Sequence, residues 1–169
     1  MSAPISIATP MPSLRRRLAA FVYEGVLLFG VAVVTALLFS PLMGQRNAMN
    51  DRWGLMAVVG GVFTLYFVYF WSKSGQTLAM QTWRLCVVDL QGQALSWQRA
   101  LLRSLLGWLW FMPALLLASA LGLHGSAIYA SVALGLAVYV LLARLHPQRR
   151  FVHEILSNTQ VVTQPPKAR

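Results

Sequence analysis

Acidic side chains are scarce in this sequence of 169 residues, and one of the four lies inside a long apolar segment. Glu24 is the single charged residue between positions 18 and 39. A carboxylate at that depth in hydrocarbon costs on the order of 3 kcal/mol and by default indicates a functional site with a partner. Arg17 precedes it by seven residues, which is two turns of a helix on nearly the same face. The spacing predicts an Arg17–Glu24 pair, direct or through water. The alternative is a neutral or hydrogen-bonded carboxyl that serves packing alone.

Other residues that could do chemistry lie in the polar segments. Arg99 and Arg103 are four residues apart, so both can contact lipid phosphates from one helix face; the alternative places them in a buried cluster. His153 and Glu154 begin like a zinc-protease helix, but Ser157 stands where the second histidine would be required. No nucleophile, nucleotide-binding or dinucleotide motif is found, and the single cysteine excludes an intramolecular disulfide. We therefore expect no enzyme activity, no catalytic residue, no metal and no cofactor.

The composition indicates a membrane protein, because 57% of the residues are hydrophobic and 11% are charged. Helices that cross a bilayer need roughly 17 to 25 apolar residues. The segments 18–39 and 54–71 meet this length, and residues 104–143 contain no charged side chain. The last segment is too long for one crossing, and His124-Gly125-Ser126 divides it into 104–123 and 127–143. Four spanning helices are predicted, with a kink at Pro113; three spans with a re-entrant pair are the alternative. Tyr66 and Trp71 in the second span are predicted to belong to the aromatic belt at the membrane border.

Basic residues predict the orientation of these helices. Of the 14 Lys and Arg residues, twelve fall in the two tails and the 72–103 segment, and two fall between the first and second helices. The positive-inside rule then places both termini in the cytoplasm. The net charge of +10 is thus a topology signal rather than a nucleic-acid signal. We expect contacts with the bilayer and its anionic head groups, and no nucleic-acid partner.

The 72–103 segment is the predicted cytoplasmic loop. Alternation at 83–88 predicts a short strand, 89–92 a type I turn, and 93–95 a returning strand, which together form a small β-hairpin. A short amphipathic helix is predicted after the fourth span. Residues 1–12 and 163–169 are predicted to be disordered tails around one transmembrane domain, 13–162. Four-residue spacing of Ala127, Ser131 and Gly135 predicts close helix packing, either between copies in a homo-oligomer or within one chain.

Several motifs together resemble the RDD family of small bacterial membrane proteins, named for one arginine and two aspartates. Arg17 and Glu24 match the arginine and the first aspartate, Arg103 matches the arginine before a later helix, and Glu154 matches the second aspartate. The further matching segments are Gly75-Gln76-Thr77-Leu78, Val87-Val88-Asp89-Leu90-Gln91-Gly92, Arg150, His153, and Leu156-Ser157-Asn158-Thr159 with Val161 and Val162. The resemblance runs from Leu14 to Val162.

Both diagnostic aspartates are glutamates here. A longer carboxylate preserves a salt bridge or a proton site more easily than fixed-distance metal coordination. The resemblance implies an all-α transmembrane protein that transports a small ligand or ion, with Arg17, Glu24 and Glu154 as the residues to test. Arg103 and His153 are further coupling candidates. The alternative is a non-enzymatic scaffold or assembly factor that binds a partner protein or anionic lipid through its basic cytoplasmic face.

Overall fold

A computed structural model describes residues 11–42, 52–147 and 150–164 of the chain. Seven α-helices and two short strands occur in these ranges. In chain order the elements are α1 (Leu14–Leu42), α2 (Arg52–Lys73), α3 (Leu78–Thr82), β1 (Leu85–Asp89), α4 (Trp97–Leu106), a 3₁₀ turn (Gly107–Trp110), α5 (Met112–Ala120), α6 (Ser126–Leu145), α7 (Val152–Leu156) and β2 (Thr159–Thr163).

Three helices are long and apolar enough to cross a membrane: Leu14–Phe39, Gly54–Lys73 and Ser126–Leu145. A fourth candidate is the pair Trp97–Trp110 and Met112–Ala120, which is bent by 40°. Large apolar side chains on these helices point away from the protein, including Phe29, Leu65 and Leu134, each about two-thirds or more exposed. Such surfaces are stable only against hydrocarbon. The fold is therefore the predicted all-α transmembrane class, with a small antiparallel sheet.

Contacts at one end of the helices favour four crossings over three. Arg17 in the first turns of α1 forms an ion pair with Glu154 in α7, and α7 also packs against the last turns of α6 through Tyr139 and His153. The chain therefore enters α1 and leaves α6 at the same end. An even number of crossings has this property, so the bent pair must complete a crossing rather than re-enter. This geometry argues against the three-span alternative.

The third crossing is broken where a continuous, kinked helix was predicted. Helix α4 ends at Leu106, a 3₁₀ turn covers Gly107–Trp110, and Pro113 lies in the first turn of α5. Proline is tolerated there because the first helical N–H groups have no partner in the helix. The predicted turn at His124-Gly125 is present, and α6 begins at Ser126 directly after Gly125, whose φ is +59°.

The predicted hairpin within 83–95 is wrong in its second strand. The turn forms as expected, with the N–H of Gly92 donating to the carbonyl of Asp89 at 3.1 Å. However, β1 pairs antiparallel with β2 from the C-terminal segment, in the register Leu85–Thr163 to Asp89–Thr159. Both strands are almost fully buried. Val87 and Val161 pack against Trp71 and Ala20, and this burial of apolar surface stabilises the fold more than a solvated hairpin would.

Gly75 explains why β1 can lie so close to the end of α2. Its φ is +68°, and a Cβ there would lie 2.8 Å from Cys86 Sγ and 2.9 Å from the Val87 carbonyl oxygen. The N–H of Val87 donates to the Gly75 carbonyl at 2.7 Å. The Gln76 side-chain amide donates to the Leu85 carbonyl at 2.6 Å. The Gly-Gln part of the loop motif thus joins the membrane helices to the sheet.

Three further predictions can be compared with the described residues. Gly135 packs against Ala114 of α5, since an added Cβ would lie 2.7 Å from the Ala114 Cβ, so the small-residue face is used within the chain at that point. Trp71, predicted to lie at the membrane border, is buried and stacked on Phe67 at 4.8 Å between ring centroids. The predicted tails fall mostly outside the described residues, and β2 extends to Thr163.

The strand pairing can be tested by a disulfide. Cys86 lies opposite Val162, and the N–H of its neighbour Val87 points to Gly75, so Cys86 and Val162 form a hydrogen-bonded pair with Cα atoms about 5.5 Å apart. That separation suits a disulfide. We expect a Val162→Cys variant to form an intramolecular disulfide on catalysed oxidation, visible as a reduction-sensitive shift in gel mobility.

A Leu95→Cys variant is the control for the predicted local hairpin, in which the turn at 89–92 places position 95 opposite Cys86. Burial raises the pKa of the Cys86 thiol to about 11, so the oxidation should be slow at neutral pH and is best followed over time at alkaline pH. Cross-linking to position 95 and none to position 162 would contradict the observed pairing.

Candidate functional site

A buried carboxylate joins the beginning of α1 to α4 and α7. Glu154 is 1% exposed. One oxygen accepts from Arg17 Nη2 at 2.5 Å, and the other accepts from Arg103 Nη2 at 3.2 Å. The backbone N–H of Phe151 donates to the same carboxylate at 3.1 Å. Two cations and one backbone donor therefore surround a group that brings three helices together.

Aromatic and hydroxyl groups position the two guanidiniums. The Arg17 guanidinium lies 4.5 Å from the centre of the Phe151 ring, and that of Arg103 lies 5.1 Å from the Trp71 ring. Such stacking supports a cation in a desolvated site. Arg103 Nη1 also donates to Thr159 Oγ1 at 2.6 Å, which connects the cluster to the first residue of β2.

The positive neighbours set the ionisation of Glu154. Burial alone raises the pKa of this carboxyl, but the charges of Arg17 and Arg103 outweigh burial and lower the pKa to about 2. Its hydrogen-bond partners are N–H groups that have no acceptor, so they cannot stabilise a protonated carboxylic acid. Glu154 is therefore fixed as an anion.

Tyr139 contacts both the backbone and the ring of His153. The backbone N–H of His153 donates to the Tyr139 hydroxyl at 3.2 Å, and that hydroxyl shares a hydrogen bond with Nδ1 at 2.6 Å. Burial and the nearby Arg103 charge lower the pKa of His153 to about 3. The rings of Tyr139, Phe151 and His153 stack within an interplanar angle of 11°.

Glu24 has a different environment from Glu154. It is buried, and its carboxylate accepts hydrogen bonds from the hydroxyls of Tyr66, at 2.7 Å, and Thr77. A hydroxyl can donate to a carboxylate and accept from a carboxylic acid, so this pair of partners suits both protonation states of Glu24. Thr77 also caps α3, because its oxygen accepts from the N–H of Met80.

Helix α3 is held against α1 at both of its ends. Glu24 contacts the N-cap residue Thr77, and the Arg16 side chain donates to the carbonyl of Trp83, the C-cap residue. A negative group at the helix N-terminus and a positive group at its C-terminus both complement the helix dipole. The polar loop therefore packs onto the beginning of α1.

A cavity of about 420 Å³ adjoins both carboxylates. All five residues named from the sequence line it: Arg17, Glu24, Arg103, His153 and Glu154. The rest of its wall is largely aromatic and aliphatic, and includes Phe21, Leu28, Phe63, Trp108 and Phe111. Its volume lies within the range of small-molecule sites. The cavity thus combines an ionic region with a large apolar wall.

The structure assigns different partners from some of those predicted. Among the described residues, the ion pair of Arg17 is made with Glu154, and the hydrogen bonds to Glu24 come from hydroxyls. Arg99 and Arg103 also separate: Arg103 belongs to the buried cluster, whereas Arg99 is half exposed and pairs with Asp89 at 3.1 Å. The lipid-phosphate interpretation therefore does not describe Arg103.

Sequence reasoning missed the polar residues that complete the site: Tyr66, Thr77, Tyr139 and Thr159. Tyr66 was assigned to the aromatic border, and the others carried no assigned role. For Thr77 and Thr159 a signal existed, because they belong to the Gly-Gln-Thr and Leu-Ser-Asn-Thr motifs. Within the described ranges, no group of three His, Cys, Asp or Glu residues could hold a metal ion.

Comparison with known proteins gives a family and no close relative. The model of the RDD family matches residues 11–158. No curated protein matches the chain, and no solved structure matches it either.

Removing the charge of Glu154 should destabilise the fold strongly. A Glu154→Gln variant leaves two buried guanidiniums without their anion, which costs about 3–5 kcal/mol in comparable sites. We expect a clearly lower midpoint of thermal unfolding in detergent. The matched Glu24→Gln variant should lose less stability, because the amide oxygen still accepts from a hydroxyl. Equal losses in the two variants would contradict the distinction between the two carboxyls.

Acid should destabilise the protein first through His153. Its pKa in the folded protein lies below the unfolded value of 6.5, so the unfolded chain binds a proton first as the pH falls, and stability is lost below pH 6.5. Glu154 adds a second loss below its unfolded pKa of 4.5. We expect a slope below about 1.4 kcal/mol per pH unit between pH 6.5 and 4.5, because the imidazole is partly exposed. The slope is measured by thermal unfolding of the wild type and a His153→Gln variant across this pH range. An unchanged slope in the variant would exclude His153 as the cause.

Proposed function

The chain belongs to the RDD family, whose model covers most of its length, and from this premise we propose that it transports a small ligand or ion through its Arg/Glu-lined cavity. The observation that carries the proposal is that Arg17, Glu24, Arg103, His153 and Glu154 line one cavity at one end of the spanning helices. A site of this kind inside a membrane protein is typical of ion and substrate paths.

Within this proposal the two carboxyls have separate roles. Glu24 exchanges a proton, since its Tyr66 and Thr77 partners accommodate both the acid and the anion. Glu154 remains ionised between Arg17 and Arg103, and it positions the two guanidiniums. Proton exchange at Glu24 changes the charge of the cavity wall and so the affinity for a charged ligand. No covalent step is involved, so the proposed role is non-enzymatic.

The proposed setting is a bacterial inner membrane with both termini in the cytoplasm. The beginning of α1, the loop containing β1, and α7 all lie at one end of the helices, and that end carries most of the basic residues. The cavity then lies near the cytoplasmic face, where anionic lipid head groups are available to the exposed cations. We propose no nucleic-acid partner. Four spans are few for a complete path, which favours a homo-oligomer.

A flux assay tests this function. Purified protein is reconstituted into vesicles that contain a pH-sensitive dye, and an imposed pH gradient with a potassium diffusion potential drives protons across the membrane. We expect the wild type to equilibrate protons faster than empty vesicles, and Glu24→Gln to reduce the added rate at least tenfold, because the amide cannot exchange a proton. Asp89→Asn is the matched control: it lies outside the cavity, and we expect its rate to equal that of wild type.

The scaffold alternative predicts the opposite pattern. The observation in its favour is an exposed surface near the loop that includes Lys73, Arg84 and Trp97. Wild-type vesicles would then show no added proton flux. A stoichiometric partner would be retained during gentle solubilisation and lost in a Lys73→Glu variant, and Glu24→Gln would retain it. Flux that is equal in wild type and Glu24→Gln would remove the proposed proton role.

A further inference from the structure

Two buried side-chain N–H donors, both on residues that line the cavity, have no acceptor among the described residues. They are Nε of Arg103 and Nε1 of Trp71. Both side chains line the cavity, both are more than nine-tenths buried, and they contact each other through the cation–π stack. A buried donor without an acceptor costs about 1–3 kcal/mol. Two such donors on adjacent side chains indicate a place for one group with two acceptor oxygens.

The charge of the neighbouring cluster favours an anion at that place. Arg17 and Arg103 supply two positive charges, and Glu154 supplies one negative charge. Among these three side chains, positive charges outnumber negative charges by one. Glu24 lies on the same wall but is held by the Tyr66 and Thr77 hydroxyls. Carboxylates and phosphates match guanidinium donors in geometry as well as in charge.

The remainder of the wall favours a hydrocarbon. Phe21, Leu28 and Phe63 lie on the spanning helices, and Trp108 and Phe111 lie at the break between α4 and α5. Phe21 also packs edge-to-face on Trp110, with ring centroids 5.3 Å apart. A free inorganic anion would leave this apolar wall uncovered. An amphiphile would cover the wall and also supply the acceptor oxygens.

We propose that the cavity binds an amphiphile with an oxyanion head group, carboxylate or phosphate, whose head accepts hydrogen bonds from Arg103 Nε and Trp71 Nε1 and whose hydrocarbon contacts the aromatic wall. This inference rests on the proposed function, because it names the class of ligand that the same cavity receives. It differs from a proton path alone in requiring selectivity for the head group.

Binding of matched probes tests the proposal without any mutation. Purified protein in an uncharged detergent is titrated with dodecanoate, dodecyl phosphate and dodecanol, and with acetate and inorganic phosphate as heads without a chain. Thermal stabilisation reports the affinity of each probe. We expect the two anionic amphiphiles to bind at least tenfold tighter than dodecanol and than the free anions. Equal affinity for dodecanol would overturn the oxyanion head, and equal affinity for inorganic phosphate or acetate would overturn the amphiphile.

Conservative variants test the two donors. Trp71→Phe removes one N–H and keeps an aromatic ring beneath Arg103, so we expect it to weaken dodecanoate binding about tenfold while dodecanol binding is unchanged. Arg103→Lys keeps the charge and removes Nε. Trp97→Phe is the control, because Trp97 is exposed and lies outside the cavity, and it should leave the preference for anionic heads unchanged. An unchanged preference in both Trp71→Phe and Arg103→Lys would overturn the assignment of the donors.

The two proposals fail in different ways. Proton flux that depends on Glu24, together with no preference for anionic heads, overturns the amphiphile and leaves transport in place. A preference for anionic heads that depends on Trp71, together with no flux above empty vesicles, overturns proton-coupled transport and leaves an amphiphile-binding protein.

Discussion

The architecture depends on one carboxylate that has no access to water. Glu154 lies on a five-residue helix, yet it accepts hydrogen bonds from the first turns of α1, from α4 and from the backbone before α7. A short helix has little stability of its own. The cluster therefore fixes the C-terminal segment against the spanning helices. Strand β2 begins shortly after α7, at Thr159, and completes the sheet with β1. Two segments distant in sequence meet because each guanidinium requires the same buried anion.

The same geometry separates two carboxyls that look alike in sequence. Both are glutamates, and both line the cavity. Guanidinium and amide N–H groups surround Glu154, and these can only donate. Hydroxyls surround Glu24, and these can donate or accept. Donor chemistry alone thus assigns a fixed charge to one site and a variable charge to the other. The loop takes part in this distinction, since Thr77 reaches Glu24 from the N-terminus of α3.

Apolar length was sufficient to predict the transmembrane class and the division at His124. Charge placement drew attention to Arg17 and Glu24, and the motif resemblance added Glu154. These signals could not predict partners. An Arg17–Glu24 pair is a reasonable local hypothesis, because helical spacing is the geometry that a sequence provides directly. However, Arg17 pairs with Glu154, which lies 137 positions after it in the chain. The hairpin prediction was wrong for the same reason: the turn at Asp89 is local and formed, whereas the strand that pairs with β1 depends on tertiary burial. Tyr66 and Trp71 were assigned to the membrane border because aromatic residues at the ends of apolar segments are typical of it.

A buried ion cluster is weak evidence of a role in stability, because well-packed apolar side chains of similar volume often stabilise a fold equally well. In this chain the cluster is also part of the cavity wall, and apolar replacements would remove the guanidiniums there together with the donors that they carry. The residues that hold α7 in place are therefore the residues that make the cavity polar on one side. Folding of the C-terminal segment and formation of the site follow from the same contacts. A ligand that binds Arg103 acts directly on the interaction that attaches α7 and β2 to the membrane helices.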